Sequence, residues 1–343
     1  FYGNGLLFEG SLPYQRFVLE AYLVCFFYLK KFDCHRQILN GLSKQIRGIY
    51  EFTVSITGLS NEIKAFGDYD YGQVIRLSVQ SYFQIGELKS LYKACFGDKE
   101  SLSLPIIEIY NSGDQTSNHR GIRYEKSHSF ISPLGFSRVS RGPFEVWIDN
   151  DYGGYGRNGL GGHGHNDTSS VIVNYDGREI VADFGVESYF RGRHIRDRDR
   201  STFNHNVTSR CDVEQNLLVG NYHMVPQVNS IDVHFNEVAS ASIFKLDFNL
   251  VYEDDAVLQR RVILLRNNLL SISDYMISST DLTFSSNLLF DAEFSSREMK
   301  LNFKTTEFGI VSKHKLKSCK ERRDCPSARR NLTRLSSSFR GSY

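Results

Sequence analysis

The 343-residue chain has a single tryptophan, no CxxC pair, no large excess of either charge and no unbroken apolar run of membrane-spanning length. Each absence closes off a class of function. Cys25, Cys34, Cys95, Cys211, Cys319 and Cys325 lie scattered, which argues against a zinc ribbon and against a redox motif. A formal net charge of +2 makes neither nucleic acid nor a membrane surface an expected partner. The most apolar stretch, FVLEAYLVCFFYLKK, is interrupted by Glu20 and closed by lysines, short of the roughly 20 residues that a spanning helix needs, so no membrane insertion is expected. There is no internal repeat. The chain opens at Phe1 and not at Met, and is expected to be a piece of a longer reading frame, with any leader in the part that precedes it.

What is present is ordinary for a globular chain, with 41% apolar and 23% charged residues, except that 19 Tyr and 25 Phe give it unusual aromatic content. Such a balance suits a large core or a carbohydrate-facing cleft. The first 115 residues have helical character. Ser11 or Leu12 stands at a cap and Pro13 opens a helix in which Phe17, Val18, Tyr22, Cys25 and Phe26 follow helical spacing. A second helix is expected over residues 35–56, with Ile38, Leu42, Ile46, Ile49 and Tyr50 on one face, a third over 72–84, and a fourth in ELKSLYKACFG. From about residue 116 short β-rich runs alternate with turns, the pattern of an antiparallel sandwich. The fold class is therefore α+β in two segregated parts, 1–115 helical and 116–343 β. The basic stretch KHKLKSCKERRDCPSARR is expected to be a loop or an edge of the sandwich.

One stretch concentrates chemistry: GLGGHGHNDTSSVIVNYDGREIVAD, from residue 159 to residue 183. Asp176-Gly177 is the strongest short hairpin signal in the chain. A two-residue turn there pairs Tyr175 with Arg178 and sets Asp183 opposite Ser170, at the same end as the His163–Asp167 loop. His205, in RSTFNHNV, precedes a further strand. Two imidazoles and a carboxylate suit Zn²⁺ or another divalent ion. A glycine-rich turn carrying two exposed histidines fits the same spacing.

These residues carry a resemblance. GGHGHNDTSSVIVNYDGREIVADFG followed by RSTFNHNV resembles the signature of the heparinase II/III-like superfamily, polysaccharide lyases of the heparinase and alginate lyase type. GLLFEGSLPYQRFVLEAYL resembles the EGSxxYxRxVxE helix of those proteins, and GDYDYGQVIRL their later GDxDxGR turn, all in the same order. The resemblance implies an incomplete (α/α) toroid, N-terminally truncated in this chain, joined to an antiparallel β-sandwich. It implies β-elimination on an anionic, uronic-acid-containing polysaccharide, in a protein that is periplasmic or secreted. By position, Tyr14 matches the acid and His163 the catalytic histidine, while His165, Asp183 and His205 match the residues that hold a structural zinc. Gln15 stands where relatives commonly have histidine, and the carboxylate-neutralising Asn-His pair of an earlier helix has no counterpart. Arg193 and Arg200, from RGRHIRDRDR, with Tyr189, are candidates to grip the substrate's carboxylates or sulfates. Asp197 and Asp199 are equally able to pair with those arginines locally.

Two other functions fit the residues. A non-catalytic carbohydrate-binding or polysaccharide-assembly protein would keep this fold with an incomplete site. A zinc-dependent hydrolase would use the HxH pair, but such pairs lie at the ends of parallel barrel strands, and strands do not alternate with helices here.

Overall fold

The computed structural model describes residues 1–32, 36–75, 82–97, 129–153, 162–186, 188–252, 255–278, 280, 282–290, 293–295, 300–302, 307–309, 317–324 and 329–341. The expected boundary at residues 115 and 116 lies outside them.

Three α-helices come first: α1 (Leu12–Lys31), α2 (Arg36–Thr57) and α3 (Gly86–Phe96). Ser11 caps α1, its hydroxyl accepting from the Tyr14 amide at 3.1 Å, with Pro13 in the first turn. The buried face of α1 is not the apolar stripe that spacing predicts. It runs Leu12, Gln15, Arg16, Leu19, Glu20, Leu23 and Phe26, while Phe17, Val18 and Tyr22 are half-buried and Cys25 is exposed. Polar members are tolerated inside because they find partners: Gln15 holds the Leu7 amide and the Gly5 carbonyl, and an Arg16 terminal nitrogen pairs with Glu20 at 2.9 Å. On α2 the expected face holds at Ile46, Ile49 and Tyr50. The helix expected over 72–84 is absent from its described parts. The Asp70 side chain instead accepts from the Gly72 amide at 2.9 Å, a turn, and Gln84 bridges to Glu62. No helix among the described residues is long and apolar enough to cross a membrane.

Strands follow: β1 (Gly135–Arg141), β2 (Phe144–Asn150), β3 (Val171–Tyr175) and β4 (Arg178–Val181), then helix α4 (Arg193–Arg200). After it come β5 (Thr208–Arg210), β6 (Leu217–Gly220), β7 (His223–Val225), β8 (Val228–Val238), β9 (Ala241–Val251), β10 (Ala256–Arg266), β11 (Leu269–Ser278) and β12 (Leu282–Phe290). The last are β13 (Glu293–Ser295), β14 (Lys300–Asn302), β15 (Glu307–Gly309), β16 (Lys317–Asp324) and β17 (Arg329–Gly341). One sheet has the order β1-β2-β3-β4-β12-β17-β16, with β5 also on β12, and faces a four-stranded sheet β11-β10-β9-β8. The strand pairings among the described residues of these two sheets are antiparallel. The basic C-terminal stretch contributes the edge strand β16.

Alternation along β2 shows how three layers form. Phe144, Val146 and Ile148 point into the sandwich core with Phe244, Leu246 and Phe248. Trp147 points the other way, into a second core with Leu19, Leu23, Ile49 and Phe52 from the helices. Its indole N–H donates to the Ile56 carbonyl at 2.6 Å, tying α2 to the sheet. The layers are helices, large sheet, small sheet.

Candidate active and metal site

The site forms where the helical layer meets the loop between β2 and β3. The loop backbone is stitched into the helical layer: the His163 amide donates to the Glu9 carbonyl at 3.1 Å, and the Asp68 amide to the His163 carbonyl at 2.9 Å. Gly67 makes the approach possible. Its φ is +73°, and a Cβ there would meet the Gly10 carbonyl oxygen at 2.5 Å and that of His163 at 2.7 Å.

Asp68 lies at the centre, fully buried. Its Oδ2 faces His163 Nδ1 at 3.1 Å and its Oδ1 faces His165 Nε2 at 2.7 Å. Arg196, from α4, donates to both oxygens through its two terminal nitrogens. Burial alone would raise the Asp68 pKa, but the hydrogen bonds from His163 and His165 and the charges of His165 and Arg196 hold it well below the usual carboxylate range.

The structure brings Tyr14 and His163 together. Their rings stack at 3.6 Å with an interplanar angle of 11°. The Tyr14 hydroxyl lies 3.4 Å from both Asp70 Oδ2 and the Tyr189 hydroxyl. Burial, with the charges of Asp70 and Asp68, pushes the Tyr14 phenol up to about 12, against a smaller opposing effect of the Tyr189 hydrogen bond. Tyr189 is raised further, by burial first and then by Asp68. Tyr222 closes the other side, edge-on to His163 at 5.9 Å and stacked on Tyr189 at 6.3 Å.

Deeper in, one candidate ligand atom from each of His165, Asp167 and His205 lies within 4.8 Å of the other two. His165 Nδ1 and both Asp167 oxygens are buried with no hydrogen-bond partner among the described residues. Two nitrogens and a carboxylate oxygen are a zinc donor set. Each histidine also has its other nitrogen on a carboxylate: His165 on Asp68, and His205 Nδ1 on Asp183 at 2.9 Å. That is how metal-bound imidazoles are commonly oriented. Burial raises Asp149 well above the ordinary carboxylate range, with Asp167 and Asp151 adding to it, and lifts Asp167 to about 6. A cation would relieve this crowding of acids, so the residues present fit a divalent ion.

The described geometry differs from the expected ligand set in one member. Asp167 supplies the carboxylate of the cluster, and Asp183 orients His205. The register explains part of this. Tyr175 does pair with Arg178, but a bulge between Val173 and Asn174 puts Val181, and not Ile180, opposite Val173.

The α4 arginines divide by face. Arg193 has an exposed side chain and pairs with Asp197 at 3.1 Å. Arg200, expected at the substrate, is instead fully buried, and its guanidinium donates to the carbonyls of Gly220, Asn221 and His223. It holds the β6–β7 hairpin. Tyr69 is buried against Tyr71 and Phe83. Sequence reasoning missed Asp68, Asp167 and Tyr222, and did not single out Arg196 from the other arginines of RGRHIRDRDR. For Arg196 and Arg200 a signal existed, because the i, i+4 spacing puts them on one helix face.

The family described as heparinase II/III-like, C-terminal, matches residues 126–324. Among solved structures, a mutant heparan sulfate lyase from Pedobacter heparinus is 12% identical, covering 99% of this chain and 51% of its own, with a TM-score of 0.64. A heparinase III is 15% identical, covering 99% and 52%, with a TM-score of 0.60. A second heparinase III, with methylated lysines, is 13% identical, covering 98% and 50%, with a TM-score of 0.61. No curated protein matches the chain. At these identities the likeness shows the fold, and the chain spans about half the length of the solved structures it matches.

Proposed function

We propose a function from one premise: the chain belongs to the heparinase II/III-like family, through the domain at residues 126–324. It is a polysaccharide lyase that cleaves a uronic-acid-containing anionic polysaccharide by β-elimination. Its helical layer, α1 to α3, is the part of an (α/α) toroid that this chain carries. The observation that carries the reading is the pairing of Tyr14 with His163, two proton-transfer groups stacked at 3.6 Å beside Tyr189 and Tyr222.

Elimination needs a base at C5 and an acid at O4 of the sugar. His163 takes the C5 proton. The electron pair left behind forms the C4–C5 double bond as the C4–O4 bond breaks, and the Tyr14 phenol gives its proton to O4. Both groups are then reset by exchange with solvent. A phenol pushed up to about 12 keeps its proton at neutral pH, as an acid must. The exposed Arg193 guanidinium is suited to a substrate carboxylate or sulfate, and Tyr189 and Tyr222 to the faces of sugar rings. His165, Asp167 and His205 would hold a zinc ion, oriented by Asp183 and Asp68. Its contribution is structural, fastening the loop to the strands behind it.

The test is to offer the full-length gene product a panel of uronate polysaccharides and follow the ultraviolet absorbance of the C4–C5 double bond. A rise with one polysaccharide establishes elimination and identifies the substrate. Folded, metal-loaded protein that gives no rise across the panel would overturn the lyase reading.

A further inference from the structure

We propose that Asp68 is a positioning residue whose single carboxylate fixes the tautomers of both His163 and His165, setting the proton-transfer histidine and the metal-facing histidine together. The role assigned to His163 rests on the lyase reading; the tautomers themselves do not.

The argument is one of hydrogen-bond valence. Arg196 is always protonated and grips both Asp68 oxygens, so the carboxylate at its centre is ionised and can only accept. Any ring nitrogen facing it at 2.7 Å or 3.1 Å must carry the hydrogen. For His163 that nitrogen is Nδ1, at 3.1 Å from Oδ2. For His165 it is Nε2, at 2.7 Å from Oδ1. The two neutral rings are therefore opposite tautomers, and each turns its lone pair to a different task. His163 is left with Nε2 as its basic atom. Glu9 Oε2 stands 3.6 Å from that nitrogen, beyond a hydrogen bond but near enough to stabilise the imidazolium once a proton arrives. His165 is left with Nδ1 as its basic atom, the buried nitrogen that has no hydrogen-bond partner among the described residues.

Asp68 is also positioned to do nothing else. It is fully buried, its amide is tied to the His163 carbonyl, and its own carbonyl accepts from the Ser11 hydroxyl at 2.7 Å. Ser11 is the cap of α1, three residues before Tyr14. The one carboxylate is thus anchored to the helix that carries the acid, the loop that carries the base, and the helix that carries Arg196. An amide at this position cannot replace it. Asparagine offers one accepting oxygen and one donating NH₂, so at most one of the two histidines keeps its tautomer.

The experiment is nitrogen-15 NMR of histidine-labelled protein, above the imidazole titration range, with and without added zinc. Wild type is expected to show His163 protonated on Nδ1 and His165 on Nε2. Either neutral ring protonated on its other nitrogen overturns the proposal. Asp68→Asn is expected to switch at least one ring. A switch at His165 lowers zinc affinity about 10- to 100-fold, and a switch at His163 lowers kcat with KM retained. A folded Asp68→Asn protein with both tautomers, zinc content and kcat unchanged also overturns it. If that variant does not fold, the wild-type spectrum decides alone. Correct tautomers in a protein without elimination activity would count against the lyase reading and leave Asp68 in its role.

Discussion

At the scale of single residues, Tyr14 and His163 lie in one stack but differ in what surrounds their polar ends. The Tyr14 hydroxyl faces a second phenol and a carboxylate, in a setting that desolvates the phenolate. Tyr14→Phe keeps the ring stack and removes the proton, so kcat should fall roughly 100- to 10,000-fold with little change in KM or melting temperature. A variant of undiminished activity would take Tyr14 out of the reaction. The pH profile checks the same assignment. With its phenol raised from 10.0 to about 12, Tyr14 stays protonated across the alkaline range, and kcat should show no falling limb near pH 10. A limb there would mean that the phenol is not desolvated as the packing requires. The metal site makes a second prediction at this scale. If His165, Asp167 and His205 hold zinc as proposed, Asp167→Ala should abolish stoichiometric zinc, whereas Asp183→Asn would only free the orientation of His205 and should weaken zinc about 10- to 100-fold. Equal losses in titrations of the two variants would make Asp183 a ligand after all. Tyr14, His163, His165 and His205 were legible in the sequence because their chemistry sits in short contiguous motifs. Asp68 was not: it lies two residues from Asp70 in the same turn, and only the convergence of α1, the 162–168 loop and α4 separates the buried hub from its exposed neighbour.

At the scale of elements, the sequence is informative wherever a signal is local. The Asp176-Gly177 hairpin, the proline-led start of α1 and the glycine stop of α3 all depend on neighbours in the chain. The bulge in β3 and β4, the polar face of α1 and the non-helical backbone of the described parts of 72–84 depend on packing partners outside the local stretch. Tyr82 and Phe83, for instance, join an aromatic cluster around Tyr69 and Tyr71 instead of coiling. The β6–β7 hairpin belongs with this second group. Its strands are short, and its tip is held by Arg200 and by the Arg196 Nε bond to the Asn221 carbonyl at 3.0 Å. Arg200→Met takes the donors from three carbonyls, and the hairpin should open locally before the sandwich does. Amide exchange over 217–225 should quicken about tenfold or more, equivalent to ~1.4 kcal/mol, with strands β9 and β10 unchanged. Because Tyr222 would leave its place beside His163, KM should rise as well. Exchange that quickens equally in β9 would show that Arg200 supports the whole fold and not the hairpin.

At the scale of the molecule, the helical layer and the sandwich have separate cores, and two of the joints between them bear on the site. One is apolar, with Trp147, Phe136 and Ile172 of the large sheet packed among the helices. The other is the polar site, where Asp68 from the helical layer binds His163 and His165 from the loop and Arg196 from α4. A zinc ion on His165, Asp167 and His205 would brace the second joint from the sandwich side. Its removal should therefore be felt by both layers at once. An ion present at a thousandfold over its dissociation constant stabilises the folded state by about 4 kcal/mol, which for a chain of this size is a melting shift on the order of 10 °C. Chelation should bring down the helical far-ultraviolet signal and the near-ultraviolet signal of the buried tryptophan together, by that amount, and readded zinc should restore both. If chelation lowers neither, the ion is not a brace. If it lowers only the tryptophan signal, the two layers fold independently, and the joint at Asp68 is weaker than its fully buried ion pair implies.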